Sequence, residues 1–112
     1  MEENQVLENL IVELRRGTQI IMVLHELKEQ AYGYSLLQKL SDRNVQIEAG
    51  TLYPLLRRLE KQNLLESSWD TTESRPRKFY ILSEFGYEVL SDLKSAWKLI
   101  NDELSSVFEE EE

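Results

Sequence analysis

Cysteine is absent from the sequence, and histidine occurs once, as His25. Disulfides and thiolate metal sites are therefore excluded, and a zinc site or a Ser/His catalytic pair has almost no material. No apolar run approaches the roughly 18 residues of a membrane-spanning helix, and the acidic start MEENQVLENL is unlike a secretion signal. We expect a protein of the reducing cytoplasm that needs no cofactor or metal and contacts no membrane.

Positive charge is scarce, but it is concentrated in the middle of the chain. The 13 Lys and Arg are outnumbered by 21 Asp and Glu, which gives a net charge of −8. Residues 33–83 hold eight of these bases and only six of the acids, whereas both ends of the chain are strongly acidic. The acidic total does not exclude nucleic acid, because steering depends on the local field within roughly 10 Å.

The 112 residues suffice for one domain with a modest core. Apolar periodicity predicts a helix over 5–15, a break at Gly17, and a second helix from an N-cap at Thr18 to about Glu29. The segment AYGYS is predicted to be a turn that leads into a third helix, and DRNVQIEAG is predicted to be a loop or a short extended segment.

The segment EAGTLYPLLRRLEKQNLLES predicts a fourth, amphipathic helix. Its leucines fall on one face, while Pro54, Arg57 and Lys61 fall on the opposite face. A start near Gly50 or Thr51 would place the proline close to the first turn, where a missing N–H costs little.

Two short strands around DTTESRPRK, with Pro76 at the tip, and a last helix capped by Ser83 and running to about Val107 complete the prediction. Apolar residues of the last helix recur at spacings of three and four, a heptad pattern that predicts pairing with a second copy. This heptad stripe, the expected dimer contact, consists of Leu90, Leu93, Trp97, Ile100, Leu104 and Val107.

The predicted fold is mainly α with a small β-wing: a winged helix-turn-helix over 1–82, a dimerisation helix over 83–108 and an acidic tail over 109–112. In this fold the helix before the wing enters the DNA major groove. The expected DNA contacts are Thr51, Tyr53, Arg57, Arg58 and Lys61 on the fourth helix, Arg75, Arg77 and Lys78 on the wing, and Tyr34 and Ser35 at the start of the third helix.

Each of these contacts has a plainer alternative. The basic residues of the fourth helix could form a solvated face that is partly neutralised by Glu48 and Glu60. Tyr53 could be a half-buried residue that closes a turn, and Gly33–Ser35 could be a turn and nothing more. The charge pattern alone leaves these alternatives open.

Five segments resemble the PadR-like transcriptional regulators: RRGTQIIMVLHEL, YGYSLLQKL, AGTLYPLLRRLEKQNLLES, RPRKFYILSEFG and VLSDLKSAWKLINDEL. They cover about residues 14–105, and the single long last helix is similar to that of the small subfamily. The resemblance implies a homodimeric, cytoplasmic bacterial repressor of transporter, multidrug-efflux or stress genes, released from operator DNA by small molecules. Such repressors often control their own gene. One departure is Ser74, where the family commonly has glycine before the wing proline.

The same resemblance implies an effector site at Trp97. In the small subfamily, a tryptophan at this position lies at the dimer interface and stacks flat, often cationic, aromatic drugs. The residues expected around it are Leu93, Ile100, Asp92, Val6 and Leu10. The alternative is a packed interface tryptophan without a ligand.

Two other classes of function compete with a repressor. A winged-helix module that binds protein and not DNA fits the acidic total, although the basic RPRK wing argues against it. An enzyme is the weakest alternative, because the chain lacks cysteine, a histidine pair and a glycine-rich phosphate loop.

Overall fold

The computed structural model describes residues 2–109, and its first element is one long helix. Helix α1 spans Glu2–Glu26 without a break at Gly17, so the predicted division into two helices is wrong. Thr18 lies inside α1, where its hydroxyl donates to the carbonyl of Arg15 rather than capping a new helix. A glycine inside a helix destabilises it by about 1 kcal/mol relative to alanine. The helix-forming residues on both sides of Gly17 outweigh this cost.

Two shorter helices follow, α2 over Gly33–Asp42 and α3 over Ala49–Lys61. The chain leaves them through Asn44 and Asn63, which both have φ of 65°. The amide after each asparagine donates back to a carbonyl of the last helical turn, at 2.8 Å and 3.0 Å. These closures end the helices sharply, because asparagine tolerates the left-handed conformation better than most residues.

Helix α3 begins slightly earlier than the sequence predicted, and Pro54 therefore lies in its second turn. Because proline has no N–H, the carbonyl of Gly50 loses its usual helical donor. Gly50 and Pro54 are both exposed, so water can replace that hydrogen bond. Helix α3 tolerates the proline because it falls on the solvent side.

A three-stranded antiparallel sheet holds the wing. Its strands are β1 (Ala31–Tyr32), β2 (Leu65–Asp70) and β3 (Arg77–Leu82), in the order β1-β3-β2. The β2–β3 hairpin confirms the predicted wing, with Pro76 just before β3. Strand β1 corrects the prediction of a turn, because Ala31 pairs with Tyr80 and Tyr32 with Phe79.

Helix α4 spans Glu84–Glu109. The amide of Gly86 donates to the hydroxyl of Ser83 at 2.9 Å, which confirms the predicted N-cap. Glu109, the first residue of the predicted acidic tail, still belongs to α4, and residues 110–112 lie outside the described residues.

The core lies where all four helices meet the sheet, and the architecture confirms the predicted fold class. Within residues 2–109, no helix is long and apolar enough to cross a membrane, and no group of three or more acidic or histidine residues could hold a metal. The largest fully buried side chains are Val23, Leu24, Leu27, Leu36, Leu40, Leu52, Leu56, Leu59 and Leu90.

Candidate nucleic-acid interface

Helix α3 buries Leu52, Leu56 and Leu59 in the core and exposes its basic residues to solvent. Arg57, Arg58 and Lys61 are all exposed. Among residues 2–109, none of the three forms an ion pair or a side-chain hydrogen bond. The structure thus brings three predicted DNA contacts together on one helix. Their charges are not paired within residues 2–109, as contact with phosphate requires.

The flank of α3 that faces α2 is occupied by Tyr53. Its ring packs on Gly33 so closely that a Cβ there would lie 2.6 Å from Tyr53 Cε1. Tyr53 is half-buried, as the plainer alternative expected. At the start of α2, Tyr34 is exposed and Ser35 is half-buried, while Thr51 is exposed in the first turn of α3.

Arg77 on the wing is held by contacts within the chain. Its guanidinium lies 4.5 Å from the ring centre of Tyr32. It donates to Tyr34 Oη at 2.9 Å and pairs with Glu73 at 3.1 Å. These contacts make Arg77 a brace of the hairpin, a role that the sequence pattern did not reveal.

Lys78 ties the wing to α3. Its Nζ lies 2.9 Å from Glu60 Oε1, and the Ser67 hydroxyl donates to the other oxygen of the same carboxylate. Hydrogen bonds from Ser67 and Lys78 hold the pKa of Glu60 below its usual value, and the Glu60 bond raises the pKa of Lys78. Of the three predicted wing cations, Arg75 alone forms no ion pair or side-chain hydrogen bond within residues 2–109.

Tyr32 and Asp70, which sequence reasoning missed, anchor the base of the wing. The Tyr32 hydroxyl donates to Asp70 Oδ2 at 2.7 Å, and the Tyr32 ring stacks on Phe79 with centroids 4.0 Å apart. Thr72 donates to Asp70 Oδ1 from its hydroxyl at 2.7 Å and from its amide at 3.0 Å. These bonds, from Thr72 and then Tyr32, lower the pKa of Asp70 to about 2. The only signal was the aromatic YGY, where β1 leads directly into α2.

A profile of the transcriptional regulator PadR-like family matches residues 20–95. The chain belongs to the PadR-like family. A crystal structure of a PadR family transcriptional regulator from Eggerthella lenta shares 43% identity with it, covers 97% of both chains and superposes with a TM-score of 0.88. A PadR-like transcriptional regulator from Bacillus cereus shares 26% identity over 86% of this chain and 96% of its own, with a TM-score of 0.73.

Sequence comparison points the same way. The transcriptional regulator Rv3488 of Mycobacterium tuberculosis is 32% identical over 85 residues, which are 75% of this chain and 79% of that protein. PadR-like proteins are transcriptional regulators and not enzymes, so the enzyme alternative is excluded.

In this PadR-like chain, the expected effector and dimer residues lie on the outer half of α1 and along α4. Trp97 is 47% exposed, Asp92 is exposed, and Leu93 packs partly against the core. Leu90 is only 2% exposed within its own chain, so its side chain is not available to a partner. Among these expected residues, the exposed apolar ones are Val6 and Leu10 on α1 and Trp97, Ile100, Leu104 and Val107 on α4.

Proposed function

We propose that this PadR-like chain is a homodimeric repressor that inserts α3 into the DNA major groove. The observation that carries the proposal is the exposed basic face of α3, whose Arg57, Arg58 and Lys61 form no ion pair within residues 2–109. Solvent-exposed basic side chains are common on helices. Here, however, they lie beside a braced wing in a chain of net charge −8. Positive charge that is concentrated on one face and forms no ion pair within residues 2–109 favours a polyanion as the partner.

The wing would add one phosphate contact through Arg75, while Arg77 and Lys78 fix its direction. Tyr34 is exposed beside the wing and could donate its hydroxyl to the same DNA strand. Thr51, Tyr53 and Ser35 are the weaker candidates, because they lie on the flanks of α3 and at the start of α2.

The first test is fluorescence anisotropy with DNA from upstream of the protein's own gene, titrated at several salt concentrations. Each phosphate neutralised should contribute about −0.9 to the slope of log affinity against log salt concentration. We expect Arg57→Ala/Lys61→Ala to make that slope shallower by about 1.8 and to weaken binding.

The matched control is Lys28→Ala/Lys98→Ala, which removes the same charge from exposed positions outside α3. It should bind like the native protein. If the native protein binds no duplex more tightly than random DNA, including genomic fragments offered as a pool, the protein-interaction module becomes the better explanation.

Two copies of the chain would pair through the exposed residues of the heptad stripe and the outer half of α1. So many exposed apolar side chains on two helices are unusual for a monomer. The paired α4 helices would set the distance between the two α3 helices, which must match half-sites about one DNA turn apart.

A flat aromatic effector, often cationic, would bind between the two copies of Trp97, with Asp92 providing negative charge. A ligand that prefers one dimer spacing shifts the population only by its difference in affinity for the two spacings. Trp69 is 62% exposed and would also be quenched. The test is therefore quenching of Trp97 by a planar dye such as ethidium in a Trp69→Phe background.

We expect saturable quenching. We also expect the dye to weaken DNA binding more in Trp69→Phe than in Trp69→Phe/Trp97→Ala, a comparison that is needed because ethidium also intercalates into the duplex. Quenching without any change in DNA affinity would overturn the effector role, and an absence of quenching would leave Trp97 as a packed interface residue. The proposed targets are transporter or stress genes together with the protein's own gene, and transcript levels in a strain that lacks the protein would identify them.

A further inference from the structure

A basic cleft lies beside α3, on the flank away from the wing. It has a volume of about 470 Å³ and is formed between the middle of α1 and the outer side of α3. Arg16 and Gly17 line it from α1, and Thr51, Pro54 and Arg58 line it from α3. The predicted DNA contacts did not include any residue of α1, because the sequence gives no sign of which helix packs beside α3.

The cleft carries positive charge from both walls. Arg16 and Arg58 are exposed and form no ion pair within residues 2–109. No acidic side chain lines this cleft in the described part of the chain. The space over Gly17 is open, because a Cβ built at that position would have no atom within 4 Å.

The two flanks of α3 are almost opposite. At 100° per residue, Glu60 and Tyr53, which face the wing and α2, lie about half a turn from Thr51 and Arg58, which face α1. The DNA major groove is bounded by a phosphate strand on each side and is about 12 Å wide. A helix inserted into it therefore meets phosphates on both flanks, and the wing serves only one of them.

We propose that Arg16 and Arg58 hold a DNA backbone phosphate in this cleft, so that α1 contacts the strand opposite the wing. The inference rests on the proposed function, since it applies only if α3 enters DNA. Arg16 would position the protein without reading sequence, because phosphate contacts carry no base information.

The experiment measures the salt dependence of duplex binding for native protein, Arg16→Ala and Lys28→Ala. Lys28 is an exposed lysine just beyond the end of α1, so this control removes the same charge away from the cleft. We expect Arg16→Ala to make the log–log slope shallower by about 0.9 and Lys28→Ala to leave it unchanged. Arg16→Ala/Arg58→Ala should make it shallower by about 1.8.

Specificity provides a second readout. Because a phosphate contact is independent of sequence, Arg16→Ala should weaken operator and random duplex by the same factor. Equal slopes for Arg16→Ala and Lys28→Ala would overturn the cleft proposal while leaving DNA binding by α3 intact. A native protein without salt-dependent DNA binding would overturn the proposed function itself, so the two failures are distinguishable.

Discussion

At the scale of single residues, Gly86 and Gly17 show how adding the same methyl group can change the stability of the fold in opposite directions. A Cβ on Gly86 would overlap the Leu64 carbonyl oxygen and lie 2.5 Å from Leu82 Cδ1, whereas a Cβ on Gly17 would meet nothing within 4 Å. Gly86 therefore lets α4 approach the sheet closely. Gly17 only lowers the helix propensity of α1.

We predict that Gly86→Ala lowers the free energy of unfolding by about 1–3 kcal/mol, because a backbone carbonyl cannot move aside as a side chain can. Its control, Gly17→Ala, should raise the free energy of unfolding by about 0.5–1 kcal/mol. Urea unfolding of both variants at one protein concentration provides the measurement. A Gly86→Ala variant as stable as the native protein would contradict the close packing of α4 on the sheet.

At the scale of elements, the wing depends on the two-residue strand β1. Tyr32 on β1 stacks on Phe79 of β3 and donates to Asp70 of β2, so one side chain joins all three strands. Isolated two-stranded hairpins are marginally stable in water. The Tyr32–Asp70 bond therefore helps to keep the hairpin in one direction relative to α3.

Acid should loosen this anchor. Asp70 has a pKa of about 2 in the folded chain and an ordinary value of 3.8. Between these values the unfolded state binds more protons, so stability rises with pH there. The contribution of Asp70 is complete above about pH 4 and is lost as the pH falls towards 2. We predict that Asp70→Asn lowers the urea midpoint at pH 7 and flattens its decline between pH 4 and 2.

Glu66→Gln is the control for Asp70→Asn, because Glu66 is an exposed carboxylate on the same strand without a hydrogen-bond partner among residues 2–109. It should reproduce the native midpoint and its decline with pH, as followed by circular dichroism. The anchor would be discounted if Asp70→Asn and Glu66→Gln gave the same curve.

The elements that the sequence predicted well are those with strong local signals. The leucine period of α3, the turn chemistry around Pro76 and the Ser83 cap depend on neighbouring residues, and each led to the right element. Strand β1 depends on pairing Ala31 with Tyr80, which is 49 positions away, and two residues carry no readable period. The internal role of Arg77 was hidden for the same reason, since Tyr32 and Tyr34 are distant in sequence.

At the scale of the whole molecule, the outer halves of α1 and α4 extend past the core and carry apolar side chains into solvent. The chain measures 60 × 38 × 25 Å, and this length comes with exposed residues such as Val6, Leu10 and Val107. Burying apolar area of this kind contributes roughly 25 cal/mol per Å². A second copy can bury the same surfaces on both partners at once, as expected for a symmetric dimer.

We predict that Ile100→Lys converts the proposed dimer into a monomer of 13.2 kDa, because a charge in the heptad stripe would lose water without gaining a partner. Leu99→Lys is the matched control: Leu99 is 61% exposed but lies about a third of a turn from the middle of the stripe, so the dimer should persist. Sedimentation velocity gives the masses, and anisotropy gives the consequence for DNA.

An Ile100→Lys monomer should bind a two-half-site duplex no more tightly than a single half-site, because the α3 helices are no longer linked. Dissociation by Leu99→Lys instead would place the interface on the other face of α4.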